Sequence, residues 1–313
     1  MDIVKTGNLI IGEGLPKICV PLMAMSLDDL QKETILAAKS GCDLIEWRLD
    51  RLNTWNIGSA FRNKEDALEE IKKGMGIIRR ATSVPVILTL RTSEEGGYAE
   101  LSRRDYYTII RDIIESAEPA ISQDDMMIDR FEDSEIKRRT EDGSAENNCW
   151  TPDIIDIEAF DQDDEDGFDK VEFIVNLAKE NGLAVILSNH DFDKTPPADE
   201  IIKRICIMDR LGADIPKVAY MPQSEEDVQT VIRAAYDARE CCKKPFIVLS
   251  MGREGLITRI CSGRAGTAVT FASVSGQSAP GQVSVSYMKY LLERYYRNES
   301  VNENLQQNKQ ESE

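Results

Sequence analysis

The chain of 313 residues contains a single histidine, His190, and it closes a short apolar run, Ala184-Val185-Ile186-Leu187-Ser188-Asn189. Further on, Lys217 lies inside a second run, Ile215-Pro216-Lys217-Val218-Ala219-Tyr220-Met221. A lysine pointing inward from a β-strand is costly to bury charged. Burial favours the neutral amine, which is a nucleophile toward carbonyls, and a histidine nearby can then move protons. Taken alone, a solitary histidine is more often a satisfied polar residue than a catalyst, and a strand lysine more often faces solvent from a sheet edge. Here both sit on runs that are apolar almost throughout. That is the mark of strands buried on both faces of a parallel sheet, and it favours the chemical reading.

The elements that must position these two residues follow from periodicity. Between the runs, Ile201, Ile202, Ile205, Cys206 and Met208 recur at mostly helical spacing and the pattern closes at Gly212, giving one strand, helix, strand unit. The same unit recurs in kind along the chain. Strands are expected at Ile18–Ala24, Leu44–Leu49, Val86–Arg91, Ile154–Ala159, Ala184–Asn189, Lys217–Met221, Phe246–Met251 and Ala268–Ser273. Helices are expected at Leu27–Ser40, Asn63–Thr82, Arg103–Ala117, Phe168–Glu180, Ala198–Leu211, Glu225–Glu240, near Glu254–Cys261, and at Val283–Tyr296. Eight strands alternating with eight helices imply an α/β fold, a single (β/α)8 TIM barrel occupying residues 1–297. An N-terminal hairpin around Asn8–Gly14 is placed to plug one end.

Two segments break the rhythm. Glu118–Thr151 is polar and acidic and reads as a solvated insert before the fourth strand, emerging at the end of the barrel away from the chemistry. Asp161–Asp166 resembles a calcium loop only loosely, because its acids lack the required ligand order. The tail 298–313 is nearly devoid of apolar residues and is expected to be disordered.

Composition narrows the function classes. With 38 Lys and Arg against 56 Asp and Glu, the net charge of −18 argues against a nucleic-acid or anionic-membrane surface, so an anionic substrate needs a local basic pocket. Seven cysteines, an odd number with no C-x-x-C spacing, read as reduced, mostly packed thiols. One histidine and no such pair make a zinc site improbable. No apolar stretch at the N-terminus has signal-peptide length, which points to the cytoplasm.

Barrel enzymes carry their chemistry where strands end. There this chain places Glu46 and Arg48 on the second strand, Arg91 and Glu95 after the third, Asp156 and Glu158 on the fourth, and His190 and Asp191 on the fifth. Lys217 is on the sixth, Arg259 in the loop after the seventh, and Ser278 and Gln282 in the loop after the eighth. Three arginines around one lysine suit a small polyhydroxylated carboxylate. The amine condenses with a ketone to an iminium that acidifies the adjacent C–H, and His190 removes that proton and returns it to a departing hydroxyl. Glu95 is placed to hold the imidazole in one tautomer, and an arginine clamp orients the carboxylate.

From about Thr6 to Tyr296, apart from the insert, the chain resembles the type I 3-dehydroquinate dehydratases of the shikimate pathway, which leads to the aromatic amino acids. The motifs are Glu46-Trp47-Arg48-Leu49-Asp50, Leu90-Arg91-Thr92-Ser93-Glu94-Glu95-Gly96-Gly97, Asp156-Ile157-Glu158, Ser188-Asn189-His190-Asp191-Phe192, Pro216-Lys217-Val218-Ala219 and Ser278-Ala279-Pro280-Gly281-Gln282. Each is weak alone; six in order at the ends of successive strands are specific. The resemblance implies that Lys217 forms a Schiff base with 3-dehydroquinate, that His190 is the general acid and base for loss of water to 3-dehydroshikimate, and that Glu95 partners the histidine. It implies Arg259 for the substrate carboxylate, and Glu46, Arg48, Arg91, Ser278 and Gln282 for the ring hydroxyls or the loop that closes over them. It further implies a cytoplasmic homodimer acting on a small molecule without metal or cofactor. Asp156 and Glu158 read as structural supports near the base of the site.

The sequence departs from the pattern in the length of the insert and in Pro21, where the family often has a small polar residue. Arg48 with Asp50, or Arg91 with Glu46, could instead be ion pairs that staple the barrel, though the motif agreement favours the site. Two rivals remain at this point: another Schiff-base barrel lyase of the class I aldolase type, which needs a phosphate site near the last two strands, and a non-catalytic metabolite-binding barrel. The same dehydration serves biosynthesis and quinate breakdown alike.

Overall fold

The computed structural model describes residues 2–53, 64–117, 150–160, 167–274 and 281–296. The insert through Cys149, the acidic run Asp161–Asp166, Ser278 and the tail lie outside them. A hairpin of β1 (Val4–Thr6) and β2 (Leu9–Ile11) opens the chain. It is followed by β3 (Lys17–Leu22), α1 (Leu27–Ser40), β4 (Leu44–Arg48), α2 (Lys64–Ala81), β5 (Val86–Thr89), α3 (Arg103–Glu115) and β6 (Ile154–Glu158). Then come α4 (Gly167–Glu180), β7 (Ala184–Asp191), α5 (Ala198–Arg210), β8 (Ile215–Tyr220), α6 (Glu225–Asp237), β9 (Ile247–Ser250), the single turn α7 (Thr258–Cys261), β10 (Val269–Phe271) and α8 (285–296).

Strands β3 to β10 form one parallel sheet in the order β10-β3-β4-β5-β6-β7-β8-β9. A bridge between Phe246 and Thr267, with the Ala268 N–H donating to the Phe246 carbonyl at 2.8 Å, joins the last two strands and closes the barrel. The expected α/β barrel is the observed fold.

Alternation along each strand divides its residues between two cores. Val20, Ile45, Leu88, Ile155, Leu187, Val218 and Val248 point outward and pack against helix residues such as Leu30, Ile71, Ile110, Val175, Ile205 and Val231. Leu44, Ile87, Ile154, Ile186, Ile215, Ile247 and Val269 point inward and fill the half of the barrel where strands begin. Ile11 of the hairpin is fully buried against this inner cluster, so the hairpin is the plug its position suggested.

A repeated device sets the register at that floor. Asp43, Asp153 and Asp214 each stand immediately before a strand and accept the backbone N–H of the preceding strand, from Ile18 at 2.7 Å, Val86 at 2.6 Å and Val185 at 2.9 Å. Each aspartate's own N–H donates back to the same residue's carbonyl. Thr267, two residues before β10, makes a related contact through its hydroxyl, which accepts from Val248 N at 3.3 Å and donates to the Val248 carbonyl at 3.3 Å. Serine caps begin four of the helices: Ser26, Ser102, Ser224 and Ser284 accept from the N–H groups of Asp29, Asp105, Asp227 and Tyr287.

Three expectations change. β7 runs on to Asp191, because its ladder with β8 continues through His190 opposite Ala219 and Asp191 opposite Tyr220, so the histidine lies within the strand. The helix expected at Glu254–Cys261 is a 3-10 turn over Glu254–Ile257 followed by α7. The cysteines are not all free: Cys206 on α5 and Cys241 after α6 form a disulfide, with Cα atoms 5.9 Å apart. Packing of α5 against α6 brings together two residues whose sequence separation of 35 gave no hint of pairing. Cys19, Cys42, Cys242 and Cys261 are free thiols, as expected, and Cys149 is outside the described residues. Among the described residues no helix is long and apolar enough to cross a membrane.

Candidate active site

Residues two apart on a strand share a face, so pairs such as Glu46 and Arg48, Asp156 and Glu158, and Ser188 and His190 all turn into the barrel. The interior is therefore apolar where strands begin and charged where they end. At the charged end is a pocket that opens to solvent. Its polar wall holds Glu46, Arg48, Arg91, Glu95, His190, Lys217, Arg259 and Gln282, and its apolar wall Phe192, Ala219, Leu249, Met251 and Phe271. Every expected site residue lines it except Ser278, which lies outside the described residues.

Lys217 projects from β8 with its side chain only 6 % exposed. Its Nζ donates to Asp156 Oδ2 at 2.8 Å, stands 3.6 Å from Glu46 Oε1 and lies 5.0 Å from the centre of the Phe271 ring. Asp156 is thus more than a support below the site, since it touches the amine directly. Burial would raise its carboxyl, but Arg91 and Lys217 outweigh that and hold it well below the usual carboxylate range.

Arg91 ties this end of the barrel together. One of its nitrogens donates to Asp156 Oδ1 at 2.7 Å; the other meets Ser188 Oγ at 2.9 Å and Glu95 and Glu158 at 3.3 Å each. It does not pair with Glu46, which accepts instead from the Thr89 hydroxyl at 3.0 Å. Arg48 does form the pair with Asp50, bidentate at 2.7 Å through both bonds, and still lines the cavity. Arg259 is almost fully buried, and burial pushes its guanidinium down to about 10, still a cation at neutral pH.

His190 Nδ1 lies 2.9 Å from Glu95 Oε2. With Glu95 ionised the carboxylate only accepts, and Nδ1 then carries the proton and leaves Nε2 bare. Burial, together with the Arg91 and Lys217 cations, holds the imidazole well below its ordinary value. Burial and the Glu158 carboxylate hold Glu95 well above the usual carboxylate range, over the opposing pull of Arg91, Arg103 and the Asn189 amide. Gly96, at φ +78°, lets the turn after Glu95 close beneath Phe192; a Cβ there would stand 2.2 Å from the ring. Ser188, Phe192, Met251 and Phe271 were not singled out by type. Ser188 was nevertheless accessible from its spacing of two before His190.

The family model for type I 3-dehydroquinase matches residues 18–149 and 144–299. The chain belongs to the type I 3-dehydroquinase family. Its enzyme class is therefore that of a carbon–oxygen hydro-lyase. The 3-dehydroquinate dehydratase of Salmonella agona (strain SL483) is 34 % identical over 294 residues, which cover 93 % of this chain and 98 % of that protein. Among solved structures, the type I 3-dehydroquinate dehydratase of Clostridium difficile, determined with covalently modified comenic acid, has a TM-score of 0.74 at 31 % identity, covering 95 % of this chain and 98 % of that one. The 3-dehydroquinate dehydratase of Geobacillus kaustophilus HTA426 gives 0.73 at 26 % identity, covering 95 % and 97 %. In this type I 3-dehydroquinase, the described residues contain no group of three or more His, Cys, Asp or Glu side chains disposed to hold a metal ion.

Proposed function

We propose that this barrel removes water from 3-dehydroquinate to give 3-dehydroshikimate through an imine on Lys217, with His190 as general acid and base. The observation that carries this is the convergence of the Lys217 amine and the Glu95-held imidazole on one cavity. The amine adds to the ring ketone and the carbinolamine loses water to an iminium. Asp156 and Glu46, both beside Nζ, stabilise that cation without having to reorganise. The iminium withdraws electrons from the adjacent carbon, Nε2 of His190 takes its proton, and the same proton goes to the departing hydroxyl. Water then releases the conjugated product and restores the amine. Arg259 supplies the buried charge for the carboxylate, and Arg48, Arg91, Glu46, Gln282 and Ser278 the contacts to the ring hydroxyls. The family likeness also supports a cytoplasmic homodimer; a sedimentation mass near twice the 35.2 kDa of the chain checks the assembly.

The test is ultraviolet absorbance on mixing purified protein with 3-dehydroquinate, followed by borohydride and mass spectrometry. A prompt rise and a reduced adduct at Lys217, lost in Lys217→Ala, are expected. An adduct at a different lysine would sink the imine assignment, and a flat trace from well-folded protein would remove the dehydration altogether.

A further inference from the structure

Two consecutive residues of β7 reach the same carboxylate from different sides. His190 Nδ1 meets Glu95 Oε2 at 2.9 Å, and Asn189 Nδ2 donates to Glu95 Oε1 at 3.2 Å. A side-chain amide can offer either an N–H or an oxygen, and only the first suits a carboxylate. The neighbours of Asn189 settle which one is offered. Its Oδ1 accepts from the Tyr220 hydroxyl at 3.2 Å and from a guanidinium nitrogen of Arg204. A guanidinium has no acceptor, so the amide cannot turn over without setting N–H against N–H on one side and oxygen against oxygen on the other.

Arg204 is itself fixed. Its Nε donates to Glu200 Oε1 at 2.9 Å, one turn away on α5, and its guanidinium lies 5.4 Å from the centre of the Phe160 ring. Asn189 and Tyr220 are buried, and Arg204 is partly so. A chain of donors therefore runs from α5 through Arg204 and Asn189 to Glu95, which also meets the imidazole.

We propose that Asn189, locked by Arg204 and Tyr220, is a positioning residue: it keeps the Glu95 carboxylate aimed at His190 Nδ1, so that Nε2 is the nitrogen offered to substrate. This rests on the reading of His190 as general acid and base. Other charges face the pair: Arg91, Arg103 and Glu158 act on Glu95, and Arg91, Lys217, Asp156 and Arg48 on His190. All of them persist when only Asn189 or Arg204 is changed, so a comparison with the parent protein isolates the amide. Loss of a donor to a carboxylate makes that carboxylate hold a proton more readily. The Glu95–His190 pair then takes up its proton at higher pH, and the tautomer is no longer enforced.

The solitary histidine makes this directly observable. In untagged, ¹⁵N-labelled protein the imidazole nitrogens give a single pair of resonances, which report tautomer and titration without any substrate. The parent should show Nδ1 protonated and Nε2 bare. Asn189→Ala should show mixed tautomers and a titration moved to higher pH. Its kcat should fall about tenfold to a hundredfold with KM little changed, as for a lost hydrogen bond to a charged group, and the acid limb of its kcat profile should move the same way. Arg204→Leu should reproduce a weaker form of these changes and Arg204→Lys should largely restore the parent behaviour. Arg204→Leu reads the same resonances if Asn189→Ala does not fold. Parent-like tautomer and titration in the folded variants overturn the proposal, whatever happens to kcat. Absence of dehydration by the parent overturns the function instead, and the resonances still report on the amide.

Discussion

Asp156 stands between two buried cations, accepting from Arg91 at 2.7 Å and from Lys217 at 2.8 Å. Removing one partner of a buried ion pair leaves an uncompensated charge, at a cost of about 3–5 kcal/mol. Asp156→Asn keeps the shape and loses the charge, so it should lower unfolding stability by that order, read from urea denaturation at neutral pH. The native carboxyl is held far below its unfolded value, so its stabilisation is complete above about pH 3.9 and is lost as pH falls through that value toward the native one. The variant should accordingly show a shallower loss of stability in acid. His190 shifts downward as well, because burial and the two cations resist charging it. The base form therefore survives below the ordinary imidazole value of about 6.5, and the acid limb of kcat should lie below that pH; a limb at or above it contradicts the neutral buried imidazole. Residue types and their spacing along strands were enough to name these groups from sequence. Their partners were not, because Arg91 could as well have met Glu46 as Asp156, and only the closure of the barrel decides between them.

At the scale of elements, α2 lies against β4 through a contact with no tolerance. Gly74 faces the fully buried Trp47, and a Cβ at that position would stand 2.1 Å from the indole ring. Alanine is the better helix former by about 1 kcal/mol, yet overpacking a core costs about 1–3 kcal/mol. Gly74→Ala should therefore be neutral at best and destabilising by up to about 2 kcal/mol, measured by its urea midpoint. An increase in stability would mean that the ring moves freely. Most elements were readable because their signals are local: α1 occupies the expected Leu27–Ser40, entered through the Ser26 cap. What could not be read rests on pairing between distant segments. β7 continues to Asp191 only because β8 lies beside it. Asp43, Asp153 and Asp214 look like any other acids in a chain rich in them until each is seen fastening a neighbouring strand.

For the molecule as a whole, stability and chemistry occupy opposite ends of one barrel. Ile11 closes the apolar end, so Ile11→Ala should cost about 2–5 kcal/mol of stability, the range for a deleted core side chain. Its kcat below the unfolding transition should stay near that of the parent, since the charged end is untouched. A loss of kcat without a loss of stability would show that the two ends are coupled. The disulfide-bonded Cys206 and Cys241 bound a stretch of chain that contains β8, and with it Lys217. The bond therefore closes that stretch into a covalent ring. A protease that cuts once inside the ring cannot divide the molecule: the nicked protein should run as one band without reductant and as two with it. The stave that carries the amine is hooped to its neighbours by a covalent bond as well as by its hydrogen-bonded edges.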